Sequence, residues 1–225
     1  MTIHRIGSVY PLLEMHELIE KNNRLLLLME HFKIDFTVSD NTIEEICKAE
    51  NISVRLFVWL CNLYCGVLKN ISFKIEPQEV LQVIDFLKNT HNYYKDDKYP
   101  EIKFYINKLK EINDCADMAL IENFFDTYFN EVKQHLEVEE SSTFPYLESV
   151  INNASLIKNI KTHISDSDHE NISNKLADLK NLLLKHIKLN DKDGLKRKLL
   201  SAIFELEFDL NIHSIIEEQI ILYTR

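Results

Sequence analysis

The sequence predicts an all-α protein, and three observations carry that expectation. Glycine and proline are scarce, three and four in 225 residues, which leaves few of the turn residues that short strands need. Leu, Ile, Glu and Lys are abundant and suit long helices. Apolar residues also return at spacings of three and four along most of the chain, the period of one helix face. With 45% apolar and 10% aromatic residues there is enough for a buried core, in one large or two small domains.

In chain order, Leu12, Met15, Leu18, Ile19, Leu25, Leu28, Met29 and Phe32 keep a helical period and predict one or two short helices. Lys33 to Asp40 break the period. Ser39, Asp40, Asn41 or Thr42 is placed to cap the next helix, with Glu44 and Glu45 in its first turn complementing the helix dipole. That helix should end near Asn51, and another should run through Phe57, Leu60, Leu63 and Tyr64. The pair has the outline of a helix-turn-helix, but Val54 to Leu68 carries Arg55 as its only basic residue, too little for a DNA-reading face. After an irregular passage, Pro77 stands where a first helical position tolerates proline. The expected boundary falls there: a small N-terminal helical domain over 1–75 and a larger helical domain over 76–225.

The formal charge of −10 is uneven, since residues 1–75 hold 8 basic and 9 acidic side chains. Nearly all the excess acid lies in the remainder, which should repel a phosphate backbone, so no nucleic-acid partner is expected. Cys47, Cys61, Cys65 and Cys115 form no CxxC and no secreted disulfide framework. Cys61 and Cys65 read as apolar thiols beside Trp59. The first residues show no basic-then-apolar signal, and no apolar run of about 18 residues suggests a membrane span. A reducing cytoplasm is the expected location.

The larger domain carries a repeated register. His135 follows His91 by 44 residues, and His213 follows His169 by 44. Each second histidine has a glutamate four residues on, Glu139 and Glu217, so the set repeats at 78 residues. On a helix, positions i and i+4 share a face. Antiparallel helices carrying ligands at one height should turn midway between them, near Asn113, Asn152 and Asp191, and the sequence is polar at all three. Arms of about 20 residues, roughly 30 Å at 1.5 Å per residue, have the proportions of an up-down-up-down four-helix bundle. Pro100 should kink or interrupt the first bundle helix after His91.

Six polar groups converging inside a bundle are expensive to bury unless something neutralises them, and metal does so economically. Imidazole and carboxylate without thiolate suit iron, manganese or zinc. If Glu139 and Glu217 each bridge two ferrous ions, four imidazoles and two bridging carboxylates fill eight of twelve positions. Room is left for an oxo or hydroxo bridge and a small ligand such as O2 or NO. Asp168, Asp209 and Tyr94 are candidates for orienting an imidazole. Glu140 and Glu218, next to the proposed ligands, should point about 100° away toward solvent. His163 and His186 read as surface residues, and His16 with Glu20 is not read as a site.

The segments His135-Leu-Glu-Val-Glu-Glu-Ser-Ser-Thr-Phe-Pro145, Asp168-His169-Glu170 and His213-Ser-Ile-Ile-Glu-Glu-Gln-Ile-Ile-Leu222 resemble the metal-binding helices of hemerythrin-like proteins. More closely, they are similar to the repair-of-iron-centres proteins, which act on iron-sulfur clusters damaged by nitric oxide or oxidants. That resemblance spans nearly the whole chain. It implies a hemerythrin-like four-helix bundle holding two non-haem irons through His91, His135, Glu139, His169, His213 and Glu217. The stretch Phe32-Lys-Ile-Asp-Phe36, followed by Thr42-Ile-Glu-Glu45, is similar to the family's small N-terminal domain, but Thr37 and Val38 stand where that family has a cysteine pair.

The expected function is therefore a di-iron protein of iron-sulfur cluster repair, binding NO or O2 or donating iron to damaged iron-sulfur proteins. A sensor of O2, NO or iron, signalling through its N-terminal helices, is the alternative. A metal-free interaction bundle is the third reading. A homodimer through the N-terminal helices is compatible with the sequence.

Overall fold

A computed structural model describes residues 8–67, 73–113, 115–152, 166–191 and 193–222. The described residues are helical with no strand, as the composition requires. The chain divides into two compact units, one of residues 1–89 with 216–225 and one of residues 90–215. No helix among the described residues is long and apolar enough to cross a membrane.

The first unit begins with two short helices, α1 (Met15–Lys21) and α2 (Leu25–His31), followed by α3 (Ile43–Ala49) and α4 (Val54–Tyr64). Of the four candidate caps before α3, Thr42 is the one used. Its hydroxyl accepts from the Glu45 amide at 3.3 Å while the Glu45 carboxylate accepts from the Thr42 amide at 2.8 Å, a reciprocal capping box. Ser53 caps α4. The core is built from Met15, Leu25, Leu28, Met29, Ile43, Cys47, Leu56, Phe57 and Cys61. Burial leaves the Cys47 thiol pushed up to about 12 and raises Cys61 well above its ordinary value, so both behave as small apolar residues.

The unit also includes the first turns of α5 (Pro77–Asn92), up to Asn89. Buried Glu79 explains the attachment: it accepts from the Ser53 hydroxyl at 2.6 Å and pairs with Arg55. Gln82 accepts from the Ser53 amide at 2.9 Å. Arg55, the one basic residue of α4, also donates to the Lys74 carbonyl and lies over the Phe73 ring, so it is engaged within the unit.

The second unit holds the end of α5, a π-helical segment Tyr93–Lys98, and α6 (Tyr99–Ile112). It continues with α7 (Ala116–Val138), a second π segment Glu139–Thr143, α8 (Phe144–Asn152), α9 (Asp166–Asn181), a third π segment Leu182–His186, and α10 (Leu195–Leu222) to residue 215. α6 ends at Ile112, α7 begins at Ala116 and α10 begins at Leu195, so the helices break where the register requires. The expected turn after Asn152 lies outside the described residues. α7 packs on α6 and α9. Tyr99 stacks on Phe129 with centroids 3.9 Å apart, and Lys103 ties Glu122 and Asp126 to α6.

The first two π segments share one cause. Proline has no N–H, and its ring crowds the carbonyl four residues back. Those carbonyls belong to Asp96 for Pro100 and Ser141 for Pro145, each inside a π segment. A wider π turn relieves the clash without ending the helix. Pro100 thus interrupts the regular α-helix after His91, as expected, by widening it.

Candidate metal centre

On α7 the buried positions Met118, Ile121, Phe125, Tyr128 and Val132 step by three and four, and the same steps continue to His135 and Glu139. On α10 Leu199, Ile203, Leu206 and Leu210 lead in the same way to His213 and Glu217. On α5 Val80, Ile84 and Leu87 lead to His91. The polar residues occupy core positions of amphipathic helices, so folding buries them with the aliphatic stripe. His91, Glu139, His213 and Glu217 are all buried, and the His135 side chain is 14% exposed.

Glu139 is the centre of the arrangement within the second unit. Its Oε2 lies 3.2 Å from Nε2 of His91 and 3.8 Å from Nε2 of His213. Its Oε1 lies 2.7 Å from Nε2 of His135. One carboxylate oxygen faces two imidazoles and the other faces a third. Donor atoms of His91, Glu139 and His213 all lie within 4.8 Å of one another, so this buried group can hold a metal ion. Among the described residues Nε2 of His91 has no hydrogen-bond partner, although the ring is fully buried. A divalent cation would satisfy it, and the nitrogen and oxygen donors match iron, manganese or zinc.

The surroundings hold the rings in place. Nδ1 of His91 is 2.8 Å from Oε1 of Glu140, which also accepts from Lys95 at 3.0 Å. Nδ1 of His213 is 2.7 Å from the Thr90 hydroxyl. Phe144 lies against the His91 ring, and Tyr94 meets His213 edge-on at 5.8 Å. Tyr94 donates to buried Asp209 at 2.9 Å, and Tyr93 donates to Glu205 at 2.7 Å. Burial, reinforced by the Glu205 carboxylate, raises the Tyr93 phenol. Desolvation would lower the Lys98 ammonium, but Glu101 at 2.6 Å and Glu205 at 2.5 Å overcome it and raise it.

The structure therefore brings together His91, His135, Glu139 and His213 within one unit. Glu217 is buried on α10 one turn after His213, in the part of that helix counted with the first unit. His169 and Asp168 have backbones in the first turn of α9, and their side chains lie outside the described residues, as does His163. The stripe Ile172, Leu176, Leu179 and Leu183 extends back by one step of three to position 169. His186 and Glu218 are exposed. Asp209 receives the Tyr94 hydroxyl. A separate group of Glu14, His16 and Asp40 lies at the surface of the first unit, with His16 Nδ1 3.6 Å from Glu14.

Two residues depart from the sequence reading. Glu140 reaches His91 where solvent was expected, because it lies in the π segment, whose wider turn sets consecutive residues at a smaller angle than an α-helix does. Against desolvation, Lys95 and His91 hold its carboxyl below the ordinary value. The available signal was Phe144-Pro145, a proline inside a helical pattern. Thr90 was missed because a threonine on an apolar stripe carries no signature of its own.

Compared with models of known protein families and with curated protein sequences, the chain matches none.

Proposed function

We propose that the chain is a non-haem di-iron protein whose centre lies in a four-helix bundle of the hemerythrin type, and that it acts in the repair of iron-sulfur clusters damaged by nitrosative or oxidative stress. The observation that carries the reading is the split of Glu139, with Oε2 toward His91 and His213 and Oε1 toward His135. A carboxylate so placed suits two cations better than one. The 78-residue repeat of the sequence adds His169 and Glu217 to His91, His135, Glu139 and His213 as the residues that would hold the two ions.

Bound iron would supply reversible redox change and affinity for NO or O2. The protein supplies the rest. Its imidazoles would serve as nitrogen ligands, and Glu139 would offset part of the cationic charge. Phe144 and Tyr94 line the His91 and His213 rings with aromatic surface, which limits water on that side. Anaerobic loading with Fe(II) tests the centre: about two irons per chain support it, and none contradicts it. Reactivation of an NO-damaged iron-sulfur enzyme by the loaded protein tests repair.

A sensor is the second reading, favoured by Thr37 and Val38. Neither residue is a cysteine, so this pair of positions offers no thiol; Val38 is buried and the Thr37 amide donates to Asp35 at 2.6 Å. A protein whose spectrum responds to NO without reactivating a damaged cluster would be a sensor.

A further inference from the structure

We propose that Glu140 is a positioning residue that selects one tautomer of His91 and aims its Nε2 lone pair at the centre, an inference that rests on the metal reading above for its purpose but not for its geometry. Oε1 of Glu140 already accepts from Lys95, so at 2.8 Å from that oxygen Nδ1 of His91 is placed to be the donor and carry the proton. In the neutral ring Nε2 is then a bare lone pair, and it lies 3.2 Å from Oε2 of Glu139. In that state two acceptors face each other, which is the arrangement a cation resolves. Lys95 Nζ donates to the same oxygen at 3.0 Å, so this oxygen accepts from both of its neighbours.

The two π segments make this possible. Lys95 belongs to the first and Glu140 to the second, and each segment is set off by a following proline, Pro100 and Pro145. In unbroken α-helices Glu140 would stand about 100° around from Glu139 and face solvent. The chain thus uses two of its four prolines, Pro100 and Pro145, to swing a surface carboxylate and its lysine onto a buried histidine. Half-exposed Glu140, at 37%, also makes this contact the point where a buried ligand is coupled to the surface.

The test uses the full chain with Glu140→Ala and Glu140→Gln. In metal-free protein, two-bond proton–nitrogen correlation spectra of labelled histidine should show His91 with Nδ1 protonated in wild type and in Glu140→Gln, whose amide oxygen still accepts. Glu140→Ala should give a mixture of tautomers. Fe(II) affinity, measured anaerobically against a chelator, should fall 10- to 100-fold in Glu140→Ala and stay within about threefold of wild type in Glu140→Gln. Glu140→Ser, also too short to reach, serves if the alanine variant does not fold. An unchanged single tautomer in the Ala or Ser variant overturns the proposal, as does unchanged affinity. Wild-type protein that takes up no Fe(II) while the tautomer contrast holds would overturn the metal reading and leave the role of Glu140 standing.

Discussion

Replacing Glu139 with Gln should abolish most of the stabilisation that iron confers, because this residue faces the imidazoles of His91, His135 and His213. A ligand that binds only the folded state stabilises by RT ln(1 + [L]/Kd), about 2.7 kcal/mol at a hundredfold excess over Kd. For a chain of this size each kcal/mol moves the melting temperature by roughly 2–4 °C. Wild type should therefore melt about 5–11 °C higher with Fe(II) at that excess. Glu139→Gln removes a ligand from both proposed ions at once. If affinity falls about a hundredfold, the same iron concentration stands near Kd and yields only about 0.4 kcal/mol, a shift of about 1–2 °C. The assay is anaerobic calorimetry with and without Fe(II), comparing the metal-induced shift so that any effect of the substitution on the metal-free fold cancels. A Glu139→Gln protein with the full wild-type shift would refute the assignment of Glu139 as the shared ligand.

Other expectations follow from single contacts. Thr90→Val removes the hydroxyl 2.7 Å from His213 Nδ1 and should weaken Fe(II) binding about 10-fold or more by chelator competition. Tyr94→Phe deletes a hydrogen bond to buried Asp209 and should cost about 1.5–3 kcal/mol in urea unfolding, read without metal. Thr42→Ala breaks the capping box of α3 and should cost about 0.5–2 kcal/mol by the same measurement. Under native conditions exposed Cys115 should be alkylated first, while buried Cys47 and Cys61 react only on unfolding, as peptide mapping would show. Burial raises the Cys47 thiol from 9.0 to about 12, so the unfolded chain loses that proton first as pH rises. The stability it contributes is complete below pH 9 and lost between 9 and 12, and Cys47→Ala should reduce the decline of unfolding free energy over that window.

Much of the fold was legible because it depends on local chemistry. Scarce glycine and proline, a period near 3.6 and polar breaks placed α3, α4, the start of α5 at Pro77, and the helix breaks at Asn113 and before Leu195. Thr42 could not be separated from Ser39, Asp40 and Asn41 by composition. The choice depended on which side chain met the amide three residues on. The candidate site was legible in part for the same reason: His135 with Glu139 and His213 with Glu217 lie one helical turn apart, so spacing alone puts each pair on a single face.

What the chain determines by itself, then, is helix content, the stripe on which each ligand sits, and hence which polar residues folding carries inward. What only tertiary packing decides is the pairing across helices. The meeting of His91 and His213 at one oxygen of Glu139, with His135 at the other, depends on the height and rotation of separate helices. Glu140 shows the physical reason most clearly: a change of helical pitch ahead of Pro145 altered its direction, and a periodicity that assumes one pitch throughout has no means of registering it.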